Sequence, residues 1–259
     1  MKEALWMELL KLRRTKIFPV SVYFFIFIGI MMGMLMFLSM HPEIASRSAA
    51  IRMKTSFLGS IDWGAYYELL IQIVLTLVVI GSGVITSWVF GREFSDRTIK
   101  DLLALPVSRS KIVVSKLIVL LGWSLLLSVF VLIAALITGI AVRIPGWDPE
   151  AFLPFLRNFM LCSLLNVLLI TPVALIASIG RGYILPISFV ILIMVLTQLL
   201  FVGLPAFTFW FPWALPALVS GVAGDAIPPP GFVSYLLYGI LVLGGLVGTL
   251  AWWKLADQK

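Results

Sequence analysis

The pattern of hydrophobic and polar positions is dominated by six apolar runs, each about 20 residues or longer. An α-helix of that length can cross the roughly 30 Å hydrocarbon core of a bilayer. The pattern therefore predicts an all-α polytopic membrane protein, with one transmembrane domain over residues 1–259. The predicted spans are Ile17–Met40, Leu69–Phe90, Leu117–Val142, Phe159–Ile179, Tyr183–Val202 and Phe232–Trp253.

The segment before the first span, residues 1–16, has an amphipathic helical pattern. Its apolar positions are Leu5, Trp6, Leu9 and Leu12. Glu8 and Lys11 lie on the opposite side of the helix. We expect this segment to lie on the inner leaflet, in contact with membrane lipids. The alternative, of equal weight, is a simple basic flank to the first span.

The segment between the fifth and sixth spans, residues 203–230, is apolar and aromatic but cannot form one long helix, because Pro205, Pro212 and Pro216 interrupt it. Such backbone at membrane depth must be buried in protein or line a cavity. The pattern favours an external re-entrant segment. The alternative is an interfacial loop, which Trp210 and Trp213 would suit.

Composition and charge add an orientation to this picture. The chain is 61% hydrophobic and 12% charged, and its net charge is +7. Fourteen of the 19 Lys and Arg residues fall on the side that holds both termini, which predicts that both termini are cytoplasmic and that the protein lies in the cell membrane. No basic run is interleaved with aromatic residues, so we expect no nucleic-acid partner.

Motifs for catalysis and nucleotide binding are missing from the sequence. It contains no GxxxxGK[ST], no GxSxG and no HExxH, and a single histidine. We therefore expect no cofactor or metal in this chain and no enzyme activity of its own. The remaining classes are a transport subunit and an ATP-independent carrier or channel, with a membrane enzyme or sensor subunit disfavoured.

Neutral polar residues inside the spans are candidates for a transport pathway, since ionisable residues are almost absent there. The candidates are Gln72, Thr76, Ser82, Asn166, Thr197 and Gln198. Hydrogen bonding between helices is the alternative role. Two small-residue pairs, Gly29 with Gly33 and Gly244 with Gly248, further predict close packing of helices.

The longest polar interruption, FGREFSDRTIKDLLALPVSRSKI at residues 90–112, separates the second and third spans and carries eight charged residues. It predicts a short helix within 91–111, with Ile99, Leu102 and Leu103 on one face and Pro106 at its end. A helix of about ten residues is marginal alone and needs a surface that covers its apolar face. Lipid headgroups are one such surface, but the mixed charge favours a cytoplasmic partner protein.

The stretch EFSDRTIKDLLALPVSRSKIVVSK resembles the segment after the second span in permeases of type 2 ABC exporters, a class that includes bacitracin- and lantibiotic-resistance exporters. The residues that match the family pattern are Glu93, Thr98, Leu102, Leu103, Pro106, Ser108, Arg109 and Lys116. Arg97 departs from it, because the family usually has glycine there.

The resemblance implies a half-transporter, in which two permease chains, expected to be a homodimer, work with separate ATPase subunits that bind ATP and Mg. The segment 91–111 would then be a cytoplasmic coupling helix. The residues that the resemblance assigns to ATPase coupling are Glu93, Asp96, Arg97, Thr98, Ile99, Leu102, Leu103, Pro106 and Arg109. The expected cargo is an amphipathic peptide antibiotic, drug or lipid-like compound, moved out of the cytoplasm or membrane.

Overall fold

The computed structural model describes residues 2–41, 43, 60–96, 107–222, 224, 227 and 229–255. All regular secondary structure in these ranges is helical, and six helices are long and apolar enough to span a membrane. The helices are α1 (Lys2–Arg14), α2 (Ile17–Met40), α3 (Trp63–Ser95), α4 (Arg109–Val142), α5 (Pro149–Gly180), α6 (Ile184–Gly203), α7 (Leu215–Ser220) and α8 (Phe232–Leu255). The predicted all-α membrane architecture is confirmed.

The spans α3, α4 and α5 are longer than the hydrophobic runs that predicted them. Each continues through the charged residue that lies just outside the predicted boundary: Glu68 in α3, Lys116 in α4 and Arg157 in α5. Side chains of Asp62 and Asp148 cap the starts of α3 and α5, accepting from backbone N–H groups at 2.8 and 2.9 Å. Hydropathy alone therefore underestimates the length of these helices, because the ends of a helix are set by backbone hydrogen bonds and capping side chains.

The longest span, α4, packs along α2 through the first predicted glycine pair. A Cβ atom added to Gly29 would lie 2.7 Å from the Ala134 Cβ atom, and one on Gly33 would meet the Thr138 side chain. These contacts confirm the predicted close approach of backbones at Gly29 and Gly33.

The second glycine pair was predicted only partly correctly. Gly248 packs against Leu175 of α5, but Gly244 has no neighbouring atom within 4 Å of an added Cβ. Its neighbour Gly245 makes the close contact instead, against the backbone of Pro172. The pattern found the right helix, but the direction in which α8 faces α5 depends on the packing.

The segment after α6 consists of two 3₁₀ turns, Pro205–Trp210 and Pro212–Ala214, followed by α7. It is packed onto the spans: Trp213 is buried and contacts the Phe189 ring edge to face, with centroids 5.9 Å apart. Phe189 lies roughly 20 Å along α6 from its end at Gly203, at 1.5 Å per residue. This depth fits the predicted re-entrant segment, which stays a prediction.

The face of the first helix, α1, that packs against the rest of the protein differs from the face predicted from the sequence. Leu12 and Glu8 are buried, whereas Leu5, Trp6 and Leu9 are exposed. The sequence interpretation, which placed Leu12 with the other leucines and set Glu8 on the polar side, was wrong. Glu8 can be buried because it pairs with a lysine of α4.

Candidate functional site

A cavity of about 650 Å³ lies between α2, α3, α5, α6 and the segment around α7. It occupies the half of the helix bundle away from the chain termini, since the residues that α2 and α6 contribute lie towards Met40 and Gly203. Of the six candidate pathway residues, five line it: Gln72, Thr76, Asn166, Thr197 and Gln198. The structure thus brings together side chains from three spans, although their role in transport stays a prediction.

Ser82 is the one candidate that the structure places elsewhere. Its side chain is 1% exposed, and its hydroxyl donates to the Val78 carbonyl at 2.7 Å within α3. Such a bond to the preceding turn satisfies the hydroxyl locally. The sequence could not separate it from Thr76, because both are small hydroxyl residues on one apolar helix.

The lining of the cavity is apolar apart from amide and hydroxyl groups. Among the described residues that form it, none is Asp, Glu, Lys, Arg or His. A site of this kind suits a molecule that buries a hydrophobic body and forms a few hydrogen bonds. It lacks the ionisable chain that a proton relay needs.

The helix α3 changes its geometry beside this cavity. Val74–Val78 forms a π-helical turn between two α-helical parts. The buried Asn166 side chain donates from Nδ2 to the Val74 carbonyl at 3.1 Å, which joins this turn to α5. One extra residue per π-turn rotates the faces of the flanking parts by about 100° relative to a continuous α-helix. The turn therefore decides which residues of α3 point to the cavity.

The helix α5 is also irregular at the same place, because Pro172 has no N–H to donate to the Leu168 carbonyl. The single proton of the Thr171 hydroxyl is shared between the Leu168 oxygen at 3.1 Å and the Val242 carbonyl of α8 at 2.8 Å. The hydroxyl thus compensates only part of the break in α5, and it also joins α5 to α8.

At the break, the N–H of Leu169 donates to the Asn166 carbonyl. In a regular α-helix it would donate to the Leu165 carbonyl. The Leu165 carbonyl accepts from the Tyr238 hydroxyl of α8 instead, at 2.6 Å. Leu169 itself lines the cavity. Sequence analysis missed this break, although the proline in the middle of a predicted span was a usable signal.

A second candidate region, here called the charge cluster, joins α1, the last turns of α3 and the first turns of α4. It consists of Glu8, Lys11, Glu93 and Lys116. Lys116 Nζ lies 2.6 Å from Glu93 Oε1 and 3.1 Å from Glu8 Oε2. Lys11 Nζ lies 3.0 Å from Glu8 Oε1 and 3.1 Å from Glu93 Oε1. Two carboxylates and two ammonium groups make the cluster electrically neutral.

Burial and charge act in opposite directions on the two α1 members of the charge cluster. Burial acts to raise the pKa of Glu8, but Lys116 and Lys11 outweigh it, so the pKa lies below its usual value. Burial likewise acts to lower the pKa of Lys11, but Glu8 and Glu93 outweigh it and the net pKa is raised. Both groups therefore stay charged through neutral pH.

The predicted coupling residues are only partly within the described part of the chain. Glu93 is buried in the charge cluster, and Asp96, just after α3, pairs with Arg92 at 3.0 Å on the surface. Arg109 begins α4 and donates to the Trp253 carbonyl of α8 at 3.3 Å. The remaining coupling residues, Arg97, Thr98, Ile99, Leu102, Leu103 and Pro106, lie outside the described residues. The coupling helix stays a prediction.

Of the charge cluster, sequence analysis assigned only Glu93 to a site. Lys116 entered it as a match to the family pattern, and Glu8 and Lys11 only as polar positions of the first helix. They lie more than 80 residues from their partners on α3 and α4. Their i,i+3 spacing is an ordinary pair on a solvated helix face, so no local signal distinguished them. As regards metals, the part of the chain that the structure describes holds no group of three or more His, Cys, Asp or Glu side chains placed to bind one.

Comparison with known proteins agrees with the helical membrane architecture. The family model described as ABC-2 family transporter protein matches residues 4–198. Over 189 residues the chain is 30% identical to the bacitracin transport permease protein BCRB of Bacillus licheniformis, covering 72% of this chain and 88% of that protein. No solved structure matches. With three quarters of its length matched by the family model, this multi-pass membrane protein belongs to the ABC-2 family of transporter proteins.

Proposed function

We propose that the chain is the membrane-spanning permease subunit of an ATP-driven exporter of amphipathic compounds. The observation that carries the proposal is the cavity of about 650 Å³ inside the helix bundle of an ABC-2 family member. Its apolar walls and neutral amide and hydroxyl groups are matched to a ligand with a large hydrophobic part. The relative named as a bacitracin transport permease makes a peptide antibiotic the first compound to test.

The exposure of two glutamines supports a second permease chain as a partner. Gln72 and Gln198 both line the cavity, and both are exposed on spans of the single chain. An amide facing lipid would leave its hydrogen bonds unmade, which is costly in the hydrocarbon core. A second copy of the chain, or the ligand and water that it helps to enclose, would satisfy them. A homodimer with the cavity close to its interface is therefore part of the proposal.

The energy source would be a separate ATPase subunit, as the ABC-2 family membership suggests. It would seat on the coupling helix within 91–111, against the apolar face of Ile99, Leu102 and Leu103. This arrangement needs the coupling segment to be cytoplasmic, which agrees with the excess of Lys and Arg on the side that holds the termini. The cavity would then lie in the outer half of the membrane and the re-entrant segment at its outer edge.

The test is reconstitution with and without the ATPase. A tagged form of the chain is co-expressed with a candidate P-loop ATPase, sought first among the neighbouring genes, and the purified proteins are placed in liposomes with bacitracin. The proposal expects the ATPase to co-purify and bacitracin to move only when ATP is hydrolysed. Movement by the permease chain alone, without ATPase or ATP, would instead establish the carrier or channel alternative. Failure of the ATPase to bind would overturn the exporter assignment.

A further inference from the structure

The charge cluster ties the N-terminal helix to both ends of the segment that we propose docks the ATPase. Glu93 lies in the last turns of α3 and Lys116 in the first turns of α4, while Glu8 and Lys11 belong to α1. Along the chain, the α3–α4 connection joins these two helix ends. A displacement of either end would therefore act on the groups to which α1 is bound.

The contacts of Glu93 are uneven. Lys116 and Lys11 both approach the same oxygen, Oε1, at 2.6 and 3.1 Å. The other oxygen, Oε2, is buried and has no hydrogen-bond partner among the residues that the structure describes. A carboxylate so placed has an unused acceptor position, so a small rotation would let the two ammonium groups divide between the two oxygens. The cluster thus has a second arrangement available without the loss of any charge pairing.

A displacement of α1 would reach the cavity by a short route. Only Thr15 and Lys16 separate α1 from α2, and α2 packs directly on α4 at Gly29 and Gly33. The far half of α2 contributes Met32 and Leu35 to the cavity wall. Covalent continuity and close packing therefore connect the charge cluster to the cavity through one rigid helix.

We propose that Glu8 and Lys11 are positioning residues that couple movement of the ATPase-docking connection to α1 and, through α2, to the cavity. This inference rests on the proposed exporter function. A cluster that only held α1 in place would gain from full pairing, whereas within the described part of the chain this one leaves a buried carboxylate oxygen unpaired. The coupling is carried by charge pairing across α1, α3 and α4, and not by the apolar contacts of α1.

The decisive variant is Glu8→Gln with Lys11→Gln. It removes one negative and one positive charge, so the buried Glu93–Lys116 pair at 2.6 Å remains neutral and intact. The matched control is Lys2→Gln with Glu3→Gln, which makes the same two changes at exposed positions of α1. A second variant, Lys11→Gln alone, is made in case the double variant does not fold; it removes the half-exposed lysine and its contacts with Glu8 and Glu93, and leaves the cluster with one excess negative charge.

The measurement compares ATP hydrolysis and bacitracin transport by the complete permease–ATPase complex in liposomes. For the double variant we expect normal recovery of the ATPase and a basal hydrolysis rate near that of the wild type. Transport per ATP hydrolysed should fall by roughly tenfold, within the range of measured coupling energies. Lys11→Gln should give a smaller fall in the same ratio, and the control pair should transport normally.

Three outcomes would decide against the inference. Unchanged transport per ATP in the double variant would show that the charges of α1 do not couple the ATPase-docking connection to the cavity. Loss of ATPase binding would make the cluster an assembly element, and a fall in transport that matched a fall in folded protein would make it purely structural. Absence of ATP-dependent transport in the wild type and the control would instead refute the proposed exporter function itself.

Discussion

Asn166 joins the two irregular helices beside the cavity, and its replacement by leucine removes that junction with little change in side-chain size. The wild-type Nδ2 group donates to the Val74 carbonyl at 3.1 Å, where the π-turn of α3 begins. Leucine offers no donor. The π-turn would then lose its bond to α5, and the part of α3 that carries Gln72 would be free to rotate relative to the cavity.

The size of the effect follows from the burial of this bond. Asn166 and Val74 are 2% and 0% exposed, and leucine fills nearly the same space as asparagine, which keeps water in the cavity away from the Val74 carbonyl. A buried group left without its partner costs about 1–3 kcal/mol, whereas hydrogen bonds between membrane helices average about 0.6 and reach about 1.7 kcal/mol. We therefore expect a loss of about 1–2 kcal/mol, which is a change of roughly 5- to 30-fold in the equilibrium.

The assay is the rate at which a maleimide labels a cysteine introduced at Gln72, in membranes that contain the intact protein. Native Cys162 is buried and contributes little background. The control is Asn158→Leu, since Asn158 also lies on α5 and donates to a backbone carbonyl, that of Ser220 at 2.8 Å. Both variants should lower thermal stability, but only Asn166→Leu should change the labelling rate at Gln72.

Equal labelling in the wild type and both variants would refute the reasoning. The π-turn would then be held by the α3 backbone alone, and Asn166 would serve only as a bond between helices. Equal changes in both variants would show a general loosening of α5 and would remove the special role of the junction.

The remaining predictions concern the coupling segment, the packing of α8 and the pH dependence of α1. Leu102→Asp with Leu103→Asp should abolish ATPase recovery in a pull-down while membrane insertion continues, because losing two leucines that the proposed interface would bury costs roughly 3 kcal/mol or more, about a hundredfold in affinity; normal recovery would reject the coupling helix. Gly245→Val should lower the thermal stability of the purified protein by about 1–3 kcal/mol, since its Cβ meets the Pro172 backbone, whereas Gly244→Val should be tolerated. Equal effects of the two would contradict the packing of α8. The lowered pKa of Glu8 stabilises the attachment of α1 above the unfolded value of about 4.3, and this contribution is lost as the pH falls through the lower folded value. The protein is pre-incubated at each pH and then exposed to trypsin. Cleavage within α1 should stay slow after pre-incubation at neutral pH and accelerate only after pre-incubation in strong acid; acceleration already after pre-incubation near pH 6 would contradict the prediction.

The sequence by itself determined the spans and part of their packing. A helix satisfies nearly all of its backbone groups internally, and side chains that face lipid are apolar, so a span of about 20 residues is visible in the sequence as an apolar run. The prediction for Ile17–Met40 consequently agrees with α2 at both ends. The close packing at Gly29 and Gly33 could also be predicted from the sequence, because only residues without a side chain permit so close an approach to α4.

The charge cluster and the cavity were decided by the tertiary structure. The charge of Glu8 led to its assignment to the polar side of α1, although helix geometry sets it about 40° from Leu12. The buried ammonium group that it meets there depends on α4, which supplies Lys116 from 108 residues away. The π-turn Val74–Val78 contains neither proline nor glycine, and its partner Asn166 comes from another span. Local sequence patterns indicate which side chains are stable in a nonpolar or a polar environment. Which residues provide that environment is decided by contacts between helices that are distant in the sequence.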